Sequence, residues 1–160
     1  PRLGVMIEIP AAIEVASELA QHVDFFSIGT NDLIMYMLAA DRTNYRVAGI
    51  YRTIHPAVLR ALKRFTNRVA DSGVPISVCG SSAEDPAMIL FYLGIGITRL
   101  SVDPRAMASV AEFVARHATD DARDFAERML GISSREELHS LATEIRESAG
   151  TLTTDPRSVV

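Results

Sequence analysis

What this 160-residue chain lacks narrows the field first. It has one cysteine, Cys79, so an internal disulfide is excluded and a reducing, cytoplasmic setting is the expectation. No apolar stretch approaches the ~18 residues of a membrane span, and residues 1–10 lack the basic start and long apolar segment of a secretory signal. No membrane insertion is therefore expected. A basic excess is also missing: the formal net charge is -4, which argues against a nucleic-acid surface. Tryptophan is absent, which restricts neither fold nor function. What is present, 48% hydrophobic and 22% charged residues, is ordinary for a globular chain long enough to build one real core.

Short apolar runs alternate with helix-period segments. Leu3-Gly4-Val5-Met6-Ile7 reads as a strand buried on both faces, stopped by Pro10. Residues 11–22 carry Ile13, Val15, Ala16, Leu19 and Ala20 at helical spacing. Asp24-Phe25-Phe26-Ser27-Ile28 is a second strand ended by Gly29, and residues 33–38 form an apolar helix. Residues 41–55 look like a long, irregular excursion. Pro56 suits the first position of a helix whose apolar face is Val58, Leu59, Leu62, Phe65 and Val69. Gly73 ends it, and Pro75-Ile76-Ser77-Val78-Cys79 is a third strand. Asp85 or Ser82 caps the next helix, closed by Gly94-Ile95-Gly96. Thr98-Arg99-Leu100-Ser101-Val102 is a fourth strand, and Pro104 starts a helix to about residue 117. Strand and helix thus alternate four times, which predicts parallel strands joined by right-handed crossovers. Two more amphipathic helices are expected over 119–130 and 133–148, the second opened by Ser133 and Glu136 at capping-box spacing. The Thr-rich segment 150–160 is expected to be a flexible tail. Four such strands make either a small open sheet or part of a larger barrel.

Chemistry in parallel α/β folds gathers where strands end and helices begin. Glu8, Asn31-Asp32, Cys79-Gly80 and Ser101-Asp103 all fall at such ends. Glu8 and Asp32 would give a hard divalent cation two carboxylates, leaving room for substrate oxygens and water, as magnesium prefers. Asn31 offers an amide to a phosphate, and Arg42 a bidentate cationic fork. Each residue also has a plainer use. Glu8 could pair with an arginine, Asn31 and Asp32 could cap a helix, and Cys79 could be a small buried hydrophobe. His22, His55, His117 and His139 show no ligand spacing, and the basic residues from Arg60 to Arg68 fit a solvated helix face.

Taken together, Gly4-Val5-Met6-Ile7-Glu8-Ile9-Pro10-Ala11-Ala12, Asp24-Phe25-Phe26-Ser27-Ile28-Gly29-Thr30-Asn31-Asp32-Leu33 and Leu38-Ala39-Ala40-Asp41-Arg42 closely resemble the C-terminal part of enzyme I of the bacterial sugar phosphotransferase system. That family is the phosphoenolpyruvate–protein phosphotransferases. His55-Pro56-Ala57-Val58-Leu59 and Val78-Cys79-Gly80 follow in the same order, so the resemblance runs over about residues 4–130. It implies the C-terminal half of a (β/α)8 TIM barrel with extra C-terminal helices. Residues 1–118 would be the partial phosphoenolpyruvate-binding barrel, 119–149 helices packing on it, and 150–160 the tail. It also implies that Glu8 and Asp32 ligate Mg2+, that Asn31 and Arg42 hold the phosphate and carboxylate of phosphoenolpyruvate, and that Cys79 protonates the enolate left after phosphoryl loss. The implied partners are a phosphocarrier protein, an N-terminal phosphohistidine domain of the same parent protein and a second copy in a homodimer.

The family's phosphoacceptor histidine, in a Gly-rich Ser-His context, has no match among the four histidines here. Pro1-Arg2-Leu3 reads like an interior cut, so the chain is expected to be a fragment, inactive alone. Where the family continues Cys-Gly with Glu, this chain has Ser81. Pyruvate phosphate dikinase and phosphoenolpyruvate synthase share the Glu, Asn-Asp and Cys-Gly elements and give an alternative reading, though the stretch from Ala39 to Asn44 looks more like enzyme I. A catalytically inert dimerisation or regulatory remnant is a further one.

Overall fold

The computed structural model of the chain describes residues 1–47, 50 and 53–150; the expected tail at 151–160 and part of the 41–55 excursion lie outside them. Four parallel strands, β1 (Gly4–Ile7), β2 (Phe25–Gly29), β3 (Ile76–Cys79) and β4 (Arg99–Leu100), form one sheet in the sequential order β1-β2-β3-β4. Ile7 pairs with Ile28, and Gly29 with Cys79, so the C-terminal ends of the first three strands are level. Around them run α1 (Pro10–Glu14), α2 (Ala16–Leu19), α3 (Thr30–Leu38), α4 (Pro56–Val69), α5 (Pro86–Gly94), α6 (Met107–Ala115), α7 (Thr119–Gly131) and α8 (Arg135–Ala149).

Strand pleating sorts the side chains into two faces. Ile7, Phe26, Ile28 and Val78 are fully buried in the core with the helices, where the Phe65 ring of α4 meets Phe26 edge-on at 5.3 Å between centroids. The opposite face presents Met6, Ser27, Ser77, Cys79 and Arg99, and Met6 is 48% exposed. The expectation of a first strand buried on both faces is thus corrected. Successive crossovers of one hand between strands taken in order lay every connecting helix on the same side. An apolar run does not show that by itself.

Helix α5 is the centre of the core, with Pro86 through Tyr92 all buried, and α7 and α8 both pack on it. Gly94 permits the approach of α7: a Cβ there would collide with the Ala122 carbonyl oxygen. Asp85, not Ser82, caps α5, its carboxylate accepting the Ala87 and Met88 N–H groups at 3.0 and 3.4 Å. Arg146 of α8 closes an ion pair on the same carboxylate.

Three boundaries depart from the sequence expectation because side chains take up backbone groups or cap positions there. The helix expected over 11–22 breaks at Val15, where the Arg68 guanidinium donates to the Glu14 carbonyl at 2.8 Å and takes it from the helix ladder. Pro104 opens a turn and α6 starts only at Met107, because the Asp103 side chain accepts the Arg105 N–H and its carbonyl accepts the Ala106 N–H. The cap of α8 is Ser134, bonded to the Glu137 N–H; the Ser133 hydroxyl instead accepts from Arg60 at 2.9 Å. The fourth strand also shrinks from 98–102 to Arg99–Leu100.

His55 caps α4, its Nδ1 accepting the Ala57 N–H at 3.2 Å, which requires a neutral ring. Desolvation, then the charge of Arg135, lowers its pKa below the ordinary 6.5. A lowered folded-state value means the unfolded chain takes the proton more readily, so this stabilisation is complete above 6.5 and is lost as pH falls through the folded value. His55→Asn, which keeps a capping acceptor without the titration, is expected to flatten the fall in melting temperature below pH 6.5 relative to wild type. A cap worth about 1 kcal/mol corresponds to ~2–4 °C in a chain of this size, measurable by circular dichroism.

Candidate functional site at the strand ends

The helix after β2 begins with no loop at all. Gly29 is the N-cap residue of α3, so Thr30, Asn31 and Asp32 occupy the first helical turn. The expected helix over 33–38 therefore starts three residues earlier, and no side chain caps it. That removes the plain capping use for Asn31 and Asp32. Their position puts them instead at the positive end of the helix dipole.

Glu8 follows the end of β1 and leans across the end of β2. Its Oε2 lies 3.3 Å from the point a Cβ on Gly29 would occupy. A Cβ at 29 would press on Met6 Sδ at 3.1 Å and on Glu8, so glycine there leaves this carboxylate room over the end of β2. Glu8 and Asp32 are both half-buried, and neither has an ion-pair partner among the described residues. The arginine pairing considered for Glu8 is not seen there.

Cys79 closes β3 and is half-buried on the open sheet face. Its thiol donates to the Ile28 carbonyl at 3.5 Å and accepts from the Ser27 hydroxyl at 3.8 Å, weak bonds because sulfur is a poor donor and acceptor, which leaves it lightly held. Next to it, Gly80 has φ +106°, a conformation reserved for glycine. Space imposes the same choice, since a Cβ there would meet Thr30 Oγ1 at 2.5 Å and Asn31 Oδ1 at 3.1 Å. The β3 exit is thus pressed against the first turn of α3. Ser81 completes the join: its N–H and its hydroxyl both donate to Asn31 Oδ1, at 3.3 and 2.9 Å. A glutamate at 81 would keep the first bond and lose the second, so Ser81 is a departure that gains a hold on Asn31.

Glu8, Asn31 and Cys79 thus converge on one rim, with Asp32 in the same helical turn as Asn31. Arg42 is different. It is exposed in a turn shaped by Asp41, whose Oδ1 accepts the Thr43 N–H and hydroxyl at 2.8 and 2.7 Å, and no hydrogen bond or ion pair joins it to the other four among the described residues. Those hydrogen bonds, the side-chain one first, lower the pKa of Asp41. Among the described residues no group of three or more His, Cys, Asp or Glu side chains forms a cage, so a cation here would complete its shell from substrate and water.

Beyond β4, the Glu84 carboxylate accepts the Asp103 N–H at 2.8 Å, tying the turn after Cys79 to the β4 exit. The Asp103 carboxyl is pulled down to about 2 by hydrogen bonds from the Arg105 side chain first and its backbone N–H second. A lowered acid stabilises above its unfolded value near 3.8, and that contribution goes as pH falls through about 2.

Sequence reading missed Thr30, Ser82 and Tyr92. All three are buried, and their hydroxyls join in a chain behind Cys79. The partners stand 49, 52 and 10 residues apart, so no local spacing signals them.

Comparison with known proteins gives a consistent answer. The family model described as "PEP-utilising enzyme, PEP-binding domain" matches residues 1–119. A protein of Salmonella typhimurium named for the phosphoenolpyruvate-dependent phosphotransferase system is 40% identical over 147 residues, 91% of this chain and 19% of that protein. Phosphoenolpyruvate-protein phosphotransferases of Haloferax volcanii and Bacillus subtilis are 40% and 35% identical, each over 89% of this chain and 25% of their own length. The chain spans about a fifth to a quarter of the curated relatives it matches.

Two expectations test the geometry. Gly80→Ala forces an L residue into φ +106° against Thr30 and is expected to cost about 1–3 kcal/mol or more in urea unfolding. Arg105→Ala is expected to move the Asp103 titration up from about 2 toward 3.8, read by carboxyl NMR shifts; an unmoved value would show that Arg105 is not the cause.

Proposed function

This chain belongs to the phosphoenolpyruvate-binding domain family of the PEP-utilising enzymes, and on that premise we propose that it supplies half of a magnesium and phosphoenolpyruvate site in a phosphoenolpyruvate–protein phosphotransferase. The observation that carries the reading is the join at the sheet rim, where Glu8 lies over Gly29 and Ser81 holds Asn31 beside Cys79. In this reading the sheet is the C-terminal half of a TIM barrel. Its sequential order, with helices on one face only, is the winding that closes a barrel. The face bearing Met6, Ser27, Ser77 and Cys79 would look into the interior, toward strands from elsewhere in a longer protein.

Glu8 and Asp32 would hold magnesium, two hard oxygen donors at one rim with open positions left for substrate. Bound there, the ion supplies charge neutralisation to the phosphoryl oxygens. Asn31, oriented by Ser81, would donate its amide to the phosphate, and Arg42 would bring its guanidinium to the anionic end of the substrate when the turn at 41–46 folds over the rim. As the phosphoryl group leaves for a histidine of the same parent protein, the phosphate ester P–O bond breaks and an N–P bond forms. The electron pair left on oxygen makes the enolate of pyruvate. Cys79 gives its S–H proton to the enolate methylene carbon, which yields pyruvate and a thiolate that recovers a proton from water. Relay from the phosphohistidine to a carrier protein, a homodimeric cytoplasmic parent and magnesium as the cofactor belong to the same proposal. The phosphotransferase names of the relatives favour it over the dikinase or synthase alternative.

Calorimetry of the chain with phosphoenolpyruvate and magnesium tests this. Binding that needs magnesium is expected, and Asp32→Ala should weaken it by more than about tenfold, some 1.4 kcal/mol. Binding that survives Asp32→Ala contradicts the metal role, and no binding at all favours the inert remnant.

A further inference from the structure

The buried hydroxyls behind Cys79 have a polarity that can be worked out by counting protons. Thr30 Oγ1 lies 2.8 Å from the Cys79 carbonyl, Ser82 Oγ lies 2.8 Å from Thr30 Oγ1, and Tyr92 OH lies 2.7 Å from Ser82 Oγ. A carbonyl only accepts, so the single Thr30 proton goes to Cys79. Thr30 must then accept from Ser82, and Ser82, its own proton committed, must accept from Tyr92. The chain runs one way, from Tyr92 through Ser82 and Thr30 to the Cys79 carbonyl. Thr30 and Ser82 are 1% exposed and Tyr92 is 0% exposed, so water does not offer an easy substitute for any link. Hydrogen bonds in such a series polarise one another, and breaking one weakens the rest.

Its place in the fold gives the chain a task. It starts on α5, the most buried helix, and ends on the peptide that carries Cys79 into Gly80. By contrast the Cys79 sulfur is held, among the described residues, by two hydrogen bonds of the weak kind that sulfur makes. The geometry points to Tyr92, Ser82 and Thr30 as positioning residues that set the direction of the Cys79 thiol from behind. The backbone is fixed by the hydroxyl chain while the sulfur stays lightly held. This rests on the proposed role of Cys79 as proton donor in one respect only: that the direction of its thiol matters to a bound enolate.

Alkylation of Cys79, the chain's one cysteine, by iodoacetamide across pH reads the thiol without any ligand. Tyr92→Phe keeps the ring and removes the donor to Ser82; it is expected to raise the alkylation rate by about two- to tenfold, the range one net hydrogen bond supplies. Thr30→Val should do the same, and Thr30→Ser, which keeps the hydroxyl, should return the wild-type rate and pH profile. Ile89→Val removes a buried methyl from the same helix without touching a hydroxyl, and its rate should stay at that of wild type. An unchanged or slower rate in both Tyr92→Phe and Thr30→Val overturns the proposal. So does an Ile89→Val rate raised as far as theirs, which would make general loosening of α5 the cause. Magnesium-dependent phosphoenolpyruvate binding, measured on the same proteins, separates the two readings: wild-type binding that survives Asp32→Ala defeats the proposed metal role and leaves the alkylation result standing.

Discussion

Parallel pairing in register, Ile7 against Ile28 and Gly29 against Cys79, is the constraint on which the rest of the molecule depends. It makes three strand ends level, so residues drawn from positions 8, 29–32 and 79–81 meet at one rim. A shift of one residue in β1 would turn Ile7 out of the core and Glu8 into it. The core enforces the register because Ile7, Phe26, Ile28 and Val78 can be buried together only in this alignment. Packing on one face thereby fixes chemistry at the rim.

Two glycines translate that register into contact. Gly29 and Gly80 sit where side chains from a neighbouring strand or helix pass close, Glu8 over the first and Thr30 and Asn31 against the second. Only Gly80 is also required by its backbone angle. The rim is consequently tighter than four short strands alone would make it. The hydrogen bonds that cross it, Ser81 to Asn31 and Thr30 to Cys79, join segments some fifty residues apart.

Much of this was legible in the sequence. Gly and Pro punctuation around apolar runs located all four strands, and Glu8, Asn31, Asp32 and Cys79 were legible as strand-end residues because parallel folds place function there. The open face was not, since a run such as Gly4-Val5-Met6-Ile7 is apolar whichever side is covered. Nor was the break at Val15, which arises from Arg68 capturing a carbonyl fifty-four residues away in sequence. Ser82 read as a helix cap because serine before a helix often is one; its hydroxyl is instead spent on Thr30 and Tyr92, a choice made by tertiary contact. Arg42 came from motif resemblance, and in its exposed turn no hydrogen bond or ion pair ties it to the other candidates among the described residues.

The ion pair between Arg146 and Asp85 bears on where this unit can be cut. Every candidate residue lies within 1–119, the stretch the family model covers. Yet Asp85 caps the helix from which Tyr92 reaches toward Cys79, and the arginine gripping Asp85 comes from α8, well past residue 119. The family model and cooperativity therefore draw different borders, while similarity to the relatives, over 147 residues of this chain, runs on into α8. A piece trimmed to the matched region would contain the whole chemical vocabulary of the rim while leaving the Asp85 cap without its cation and α5 without α7 and α8 against it. Recombining this module with foreign partners would succeed or fail at the far end of the C-terminal helix, not at residue 119.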